Sequence, residues 1–324
     1  MRSALEGGLS AVSLGGPMNR HFLSLADHSA EELRAYLDLA RMVKLNPDGF
    51  RTACAGKTLA MIFQKPSLRT RVSFETGMYQ LGGQAIYLGP KDIQLHRGES
   101  IADTARVLSR MVHGIMARVY AHSDVIDLAR YGTVPVINAL SDLLHPCQVL
   151  ADLQTIEEKF GRIAGLKMAY IGDGNNMAHS ILFGGTKMGM SVAVGHPRGY
   201  APDADIVTQA REIAAGSGGS VLITEDPIAA VADADVVYTD VWASMGQEEE
   251  REERVQRFAG FEVNQALMAH AKPTAIFLHC LPAHRGEEVS AEVIDGPQSV
   301  IFDQAENRLH AQKAVLIRLI GQRR

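Results

Sequence analysis

The sequence predicts an α/β protein made of two doubly wound parallel-sheet domains joined by bridging helices. Three observations predict it. Short apolar runs alternate with longer amphipathic stretches along the chain, the pattern of strands covered by helices. Ten such runs exceed what one open sheet of this kind holds comfortably, so the strands divide into two units. A length of 324 residues gives about two domains at roughly 100–200 residues each.

The elements follow in order. Residues 1–17 hold one basic residue, Arg2, and a short apolar stretch broken by glycine. They fit neither a secretory leader nor an Arg-rich transit peptide and are expected to be a disordered extension before folded sequence begins at Met18. Ser29 and Glu32 form a capping box, and Leu33, Tyr36, Leu37, Ala40 and Val43 keep helical spacing to about Lys44. Strands are expected at Thr58–Phe63, Ala85–Leu88, Ile115–Val119 and Val134–Asn138. Six more are expected at Leu166–Ile171, Ser191–Val194, Ser220–Ile223, Asp235–Thr239, Ala275–His279 and Ser299–Phe302. A helix from His145-Pro146 to Phe160 bridges the halves, dividing the chain into residues 18–148 and 149–304. A last helix, Ala305–Ile320, has no strand after it and is expected to pack back on the first half. The run Glu248–Arg254 reads as a solvated helix face with its acids near the positive N-terminal end.

Composition excludes several classes. With 46% hydrophobic and 21% charged residues the chain is not wholesale disordered. No apolar run approaches the roughly 18 residues of a membrane span. Lys plus Arg minus Asp plus Glu is 32 − 37 = −5, which argues against a general nucleic-acid coat but leaves room for a local anion site. Cys54, Cys147 and Cys280 form no CxxC pair, which argues against a disulfide framework and a structural zinc site. A reducing, cytoplasmic setting is expected.

In open α/β sheets ligands bind beyond the carboxyl ends of strands, so the residues that follow each strand matter first. After Thr58–Phe63 come Ser67, Leu68, Arg69, Thr70 and Arg71, then a helix. A helix start with free N–H groups, hydroxyls and a forked cation is an anion cradle. Arg71 is expected instead to pair Glu75 four residues on. No GxxxxGK[ST] is present, so this is not a nucleotide P-loop. Arg118 ends a strand, where a lone arginine is more often an ordinary surface charge. His145 and Gln148 share a helix start, as ligand donors or, for His145, as a plain cap. Asn175 and Asn176 follow a Gly172-Asp173-Gly174 turn that lacks the third glycine of a dinucleotide fingerprint. Asp240 ends a strand and can hold an ammonium group. The Ser244-Met245-Gly246 loop after it suits a lid. Cys280 is readable as inert core, as a polar contact or as a reactive thiolate.

Together, Ser67-Leu68-Arg69-Thr70-Arg71, His145-Pro146-Cys147-Gln148, Asp240 with Ser244-Met245-Gly246, His279-Cys280-Leu281-Pro282 and Glu306-Asn307-Arg308 resemble the aspartate/ornithine carbamoyltransferases, and within them the ornithine branch. The resemblance covers the chain from about His21. It implies a carbamoyl phosphate domain, an ornithine domain, a homotrimer and no metal or organic cofactor. It also implies transfer of a carbamoyl group from carbamoyl phosphate to the side-chain amine of L-ornithine, giving L-citrulline and phosphate. Carbamoyl phosphate would then meet Ser67, Leu68, Arg69, Thr70, Arg118, His145, Gln148 and Arg308, with the main chain of Cys280 and Leu281 at its amide. Gln94 would reach the neighbouring subunit's site. Ornithine would meet Asn176, Asp240, Ser244 and Met245, with Cys280 near the reacting amine. Arg69, Arg118, His145 and Cys280 would carry the catalysis. Leu68 and Gln64 depart from the family pattern, where Thr and Glu are common. Sister enzymes acting on aspartate, putrescine or N-acylornithine, and a non-catalytic anion-binding relative, are the alternatives. A nicotinamide-dependent dehydrogenase fails on the missing glycine fingerprint.

Overall fold

The computed structural model describes residues 20–93, 98–243 and 251–321 of the chain. The first half runs α1 (Ala30–Leu45), β1 (Thr58–Phe63), α2 (Leu68–Gln80), β2 (Gln84–Leu88), α3 (Ile101–Leu108), β3 (Gly114–Arg118), α4 (His122–Tyr131), β4 (Val136–Leu140) and α5 (Pro146–Phe160). The second runs β5 (Lys167–Ile171), α6 (Asn176–Lys187), β6 (Ser191–Gly195), α7 (Ala204–Ser217), β7 (Ser220–Thr224), α8 (Pro227–Val231), β8 (Val236–Thr239), α9 (Arg251–Arg257), α10 (Gln265–Met268), β9 (Ile276–His279), α11 (Ala291–Ile294) and α12 (Ile301–Ile320). Among the described residues no helix is long and apolar enough to cross a membrane.

Local chemistry sets the boundaries. Ser29 Oγ accepts from the Glu32 N–H at 3.1 Å while Glu32 Oε2 accepts from the Ser29 N–H at 2.9 Å, closing the capping box of α1. Leu33, Tyr36, Leu37, Ala40 and Val43 form its buried face. The long helix α5 starts on Pro146, whose missing N–H costs nothing there, and stops at Gly161 with φ 70°.

The strands form two all-parallel sheets, ordered β2-β1-β3-β4 and β7-β6-β5-β8-β9. Parallel neighbours need crossover helices, which cover the faces and explain the near-continuous apolar strands β1, β3, β5 and β8. The edge strands β2 and β7 are only partly covered. The other two edges are closed by single bridges. Phe22 pairs with Ile137 of β4, and Ser299 pairs with Phe277 of β9. The expected tenth strand at Ser299–Phe302 is therefore a correction. The segment reaches the sheet in a single bridge, the backbone of Gln298 and Val300 bonding Phe277 on either side of Ser299, and from Ile301 the chain is already α12, with Phe302 exposed. An apolar pair at a helix start has the same local pattern as a short strand end.

Helix α12 begins four residues earlier than expected and packs against α1, α2 and α5, all elements of the first half. Asn307 on α12 accepts from Lys44 Nζ at 2.8 Å and donates to Thr155 Oγ1 on α5 at 3.0 Å. Helix α12 is thereby held beside the first sheet.

Candidate active site

Strand order reverses between β1 and β3 in the first sheet and between β5 and β8 in the second. A crevice opens at the carboxyl ends of strands at such a point, because the helices on either side leave in opposite directions. Here the two crevices face one cleft of about 510 Å³. Its lining includes Lys65–Arg69 after β1, Arg118 at the end of β3, Asn176 after β5, Asp240 after β8 and Cys280–Pro282 after β9.

The first wall is cationic. Ser67 caps α2 through its Oγ, which accepts from the Thr70 N–H at 3.3 Å. That turn brings Arg69 to the cleft, where Arg118 and Arg308 join it. Among the described residues none of the three forms a salt bridge, and the Nε of both Arg118 and Arg308 is buried without a partner. Burial lowers the pKa of all three, that of Arg118 to about 10, and the neighbouring guanidiniums add to the shift at Arg118. Burying like charges together is costly unless an anion joins them, so the wall is organised for one. His145 is the N-cap of α5, but its side chain makes no capping bond and its buried Nδ1 has no partner among the described residues. Burial, with Arg308, Arg118 and Arg69 close by, holds its pKa well below the usual value, so the imidazole is neutral at pH 7.

The second wall is acidic and polar. Asp240 is buried, and its Oδ1 accepts from the Cys280 thiol at 3.0 Å and from the Val241 N–H at 2.8 Å. Burial and the Asp240 charge push the Cys280 pKa well above normal, so the residue is a thiol and not a reactive thiolate. Asn176 lines the cleft and donates to the Ser141 carbonyl at 2.7 Å. Leu281 joins the walls. Its N–H donates to His279 Nδ1 at 2.8 Å, and its carbonyl accepts from Arg69 Nη2 at 2.5 Å. It does so with φ 59°, a conformation rare for a side-chain-bearing residue. Asp240, His279 and Cys280 bring ligand-type atoms within 4.8 Å of one another, as do His284, Glu287 and Glu288.

Of the expected site residues, Ser67, Leu68, Arg69, Arg118, His145, Asn176, Asp240, Cys280, Leu281 and Arg308 line this cleft. Thr70 and Gln148 stand just behind it. Thr70 is fully buried and its Oγ1 accepts from Arg308 Nη2 at 2.8 Å, while Gln148 donates to Asp152 at 2.9 Å. Gln94, Ser244 and Met245 lie outside the described residues. Arg71 pairs Glu75 at 3.0 Å as expected, and also covers the Tyr87 ring. Gln64 donates to Asp124 at 2.8 Å and accepts from the Tyr120 N–H at 2.8 Å, a double role a glutamate could not fill. Leu68 stands with its side chain exposed at the first position of α2, so its departure from threonine leaves the backbone of the turn intact.

Two features escaped the sequence. Lys65 lines the cleft, with Nζ 4.3 Å from the centre of the Tyr120 ring. Arg254, expected on a solvated face, is instead buried, bonded to Asp173 at 2.7 Å and to the Trp242 carbonyl at 2.9 Å. A charge run carries no mark that one member turns inward to a partner far away in sequence.

Residues 20–158 match the aspartate/ornithine carbamoyltransferase carbamoyl-P binding domain, and residues 164–319 match the Asp/Orn binding domain of the same family. The chain belongs to the aspartate/ornithine carbamoyltransferase family. Within that family it is 62% identical over 312 residues to ornithine carbamoyltransferase of Thermococcus kodakarensis, covering 96% of this chain and 98% of that one. It is 60% identical over 315 residues to the anabolic ornithine carbamoyltransferase of Pyrococcus furiosus, with 96% and 98% covered. The solved ornithine carbamoyltransferase of Pyrococcus furiosus superposes with a TM-score of 0.90 at 60% identity, covering 93% of this chain and 97% of that one. That of Gloeobacter violaceus gives 0.85 at 50% identity, with 94% and 100% covered.

Proposed function

We propose that the chain transfers the carbamoyl group of carbamoyl phosphate to the side-chain amine of L-ornithine, forming L-citrulline and phosphate. The observation that carries the reading is the pairing of walls: three arginines without carboxylate partners among the described residues face a buried aspartate and a neutral thiol across one cleft. A dianionic, activated carbonyl compound suits the first wall and an amino acid with a second amine suits the other. In this reading residues 18–148, with the last helix packed back on them, bind carbamoyl phosphate, and residues 149–304 bind ornithine.

The chemistry follows from the residues. A lysine-like amine has a pKa of about 10.4, so presenting its neutral form at pH 7 costs about 4–5 kcal/mol. Desolvation at the closed junction of the walls, and a leaving phosphate able to take a proton, supply that. Attack places negative charge on the carbonyl oxygen. Arg69, Arg118 and neutral His145 are the donors around it, and one such donor is worth about 3–4 kcal/mol. Thr70, bonded to Arg308, holds that guanidinium to the phosphate side. Cys280 acts as a hydrogen-bonding thiol beside Asp240 near the amine, since no covalent intermediate is needed with a carbonyl already activated. Asp240 and Asn176, with Ser244 and Met245 a few residues further along the chain, take the amino-acid end.

We extend the proposal to a cytoplasmic homotrimer in which Gln94 serves a neighbouring site. Leu68, Val72 and Tyr79 form an exposed apolar stripe on α2 at helical spacing, beside Ile86 on the open edge strand β2. Such a face calls for a partner. Mixing Gln94→Glu and Arg69→Gln subunits after reversible dissociation tests this. Hybrids should regain part of the activity, and hybrids without recovery would confine Gln94 to its own chain or to no site. The activity itself is tested with carbamoyl phosphate and a panel of amines, reading phosphate release and product. An aspartate enzyme would need cations where Asp240 stands. Carbamoylation of aspartate or putrescine in preference to ornithine would replace the reading with a sister transferase. No turnover with any amine would leave an anion-binding relative.

A further inference from the structure

We propose that Asp152 is a positioning residue that fixes the side-chain amide of Gln148, so that Gln148 offers its oxygen, and not its nitrogen, to the carbamoyl end of the substrate. The inference rests on the assignment of Gln148 to carbamoyl phosphate made above.

The two residues lie one turn apart on α5, and both are essentially sealed from solvent. Asp152 Oδ1 accepts from Gln148 Nε2 at 2.9 Å and from Gln304 Nε2, on α12, at 2.7 Å. The direction of this chain of bonds is not free. It is anchored at the backbone N–H of His279, which can only donate, and which does so to Gln304 Oε1 at 3.0 Å. Gln304 must then turn its NH2 to Asp152 and to the Tyr238 hydroxyl at 3.0 Å. Asp152 Oδ1 is thereby an acceptor whether or not the carboxyl is protonated on its other oxygen. Gln148 must in turn give one N–H of its amide to Asp152, which fixes which way round the amide lies.

With its nitrogen held at Asp152, the Gln148 amide turns its oxygen the other way, and Oε1 is buried and without a partner among the described residues. An acceptor held dry and unpaired is costly, so its place in the fold asks for a donor. Gln148 sits in the first turn of the helix whose N-cap, His145, lines the cleft. At pH 7 the phosphate and carbonyl oxygens of carbamoyl phosphate are acceptors, and its NH2 is the group that donates. Gln148 Oε1 therefore receives the NH2. This orients the planar carbamoyl group with its carbonyl oxygen turned toward His145 and the arginines. It also separates a carbamoyl group from an acetyl group of the same shape, whose methyl would leave Oε1 unpaired.

The test compares the parent with Asp152→Leu, Asp152→Asn and Gln148→Leu. The readouts are KM for carbamoyl phosphate at saturating ornithine and the inhibition constant of acetyl phosphate. Asp152→Leu is similar in size but frees the Gln148 amide. It should raise KM for carbamoyl phosphate by about tenfold to a hundredfold and leave acetyl phosphate within about twofold. Asp152→Asn keeps an oxygen acceptor and should stay within about threefold of the parent. An unchanged preference in Asp152→Leu overturns the proposal, and so does an equal loss for both ligands. If Gln148→Leu leaves the preference untouched, the assignment of Gln148 itself fails. If Gln148→Leu changes it and Asp152→Leu does not, only the role of Asp152 fails. Should Asp152→Leu not fold, a crystal structure of the parent with carbamoyl phosphate decides. Gln148 facing the carbamoyl nitrogen while still bonded to Asp152 is the expected result. A water or a ligand oxygen in that position, or a Gln148 turned away from Asp152, overturns it.

Discussion

Both sheets reverse their strand order beside the cleft, yet the loops at the two reversals carry different chemistry. In the first sheet the start of α2, after β1, and the end of β3 bring Arg69 and Arg118 together, and α12 adds Arg308. In the second the loops after β5, β8 and β9 bring Asn176, Asp240 and Cys280. Burial acts on both walls, pressing the Arg118 pKa down to about 10 and the Cys280 pKa well above its usual value. The same desolvation leaves one wall short of an anion and the other holding a proton on sulfur. The lesson is that topology decides where a ligand binds, and a handful of loop residues decides which ligand.

The comparison breaks most sharply on the substrate that the second wall reads. If Asp240 and Asn176 hold an amino-acid end, putrescine leaves them unpaired, and its kcat/KM should lie below that of ornithine by about 10⁴. Comparable values for the two amines would sink the assignment of that wall. Next in size is the first wall. Arg69→Lys keeps the charge and loses the fork, and kcat/KM should fall at least about a hundredfold. Arg71→Lys, which touches only an exposed ion pair and the Tyr87 ring, should cost far less. Equal mild effects at both positions would remove the anion cradle.

A smaller effect sharpens the boundary between the walls. Cys280→Ala removes a thiol bonded to Asp240, and KM for ornithine should rise by about tenfold while carbamoyl phosphate affinity is largely spared. A loss confined to carbamoyl phosphate would move Cys280 to the other wall. The smallest effect concerns the network behind the first wall. Burial raises the Asp152 pKa from 3.8 to about 7. Its folded form holds a proton that the unfolded chain has released, so this contribution to stability is full below about pH 4 and is lost as pH rises through about 7. The parent should lose more thermal stability than Asp152→Asn between pH 5 and pH 8, by about 3 °C or more in Tm. Parallel Tm curves for the two proteins would show that Asp152 does not titrate in that window.

Much of this was written in the chain locally. The alternation of apolar runs and amphipathic stretches determined two parallel sheets, because a strand buried on both faces and a helix covering it each leave a periodic trace. The capping box at Ser29, the proline start of α5 at Pro146 and the cluster Ser67–Thr70 are short-range chemistry, legible for the same reason. The tertiary structure decided the rest. It turned Arg254 inward to Asp173, brought Lys65 over Tyr120, and made Ser299–Phe302 a bridge and a helix start. It gave Gln64 two partners on the segment Tyr120–Asp124, and Gln148 an orientation inherited from the His279 N–H through Gln304 and Asp152. Each of these depends on which distant groups meet and how dry the meeting place is. Hydrogen-bond direction and desolvation are properties of the packed neighbourhood, and a periodic pattern along the chain holds no record of them.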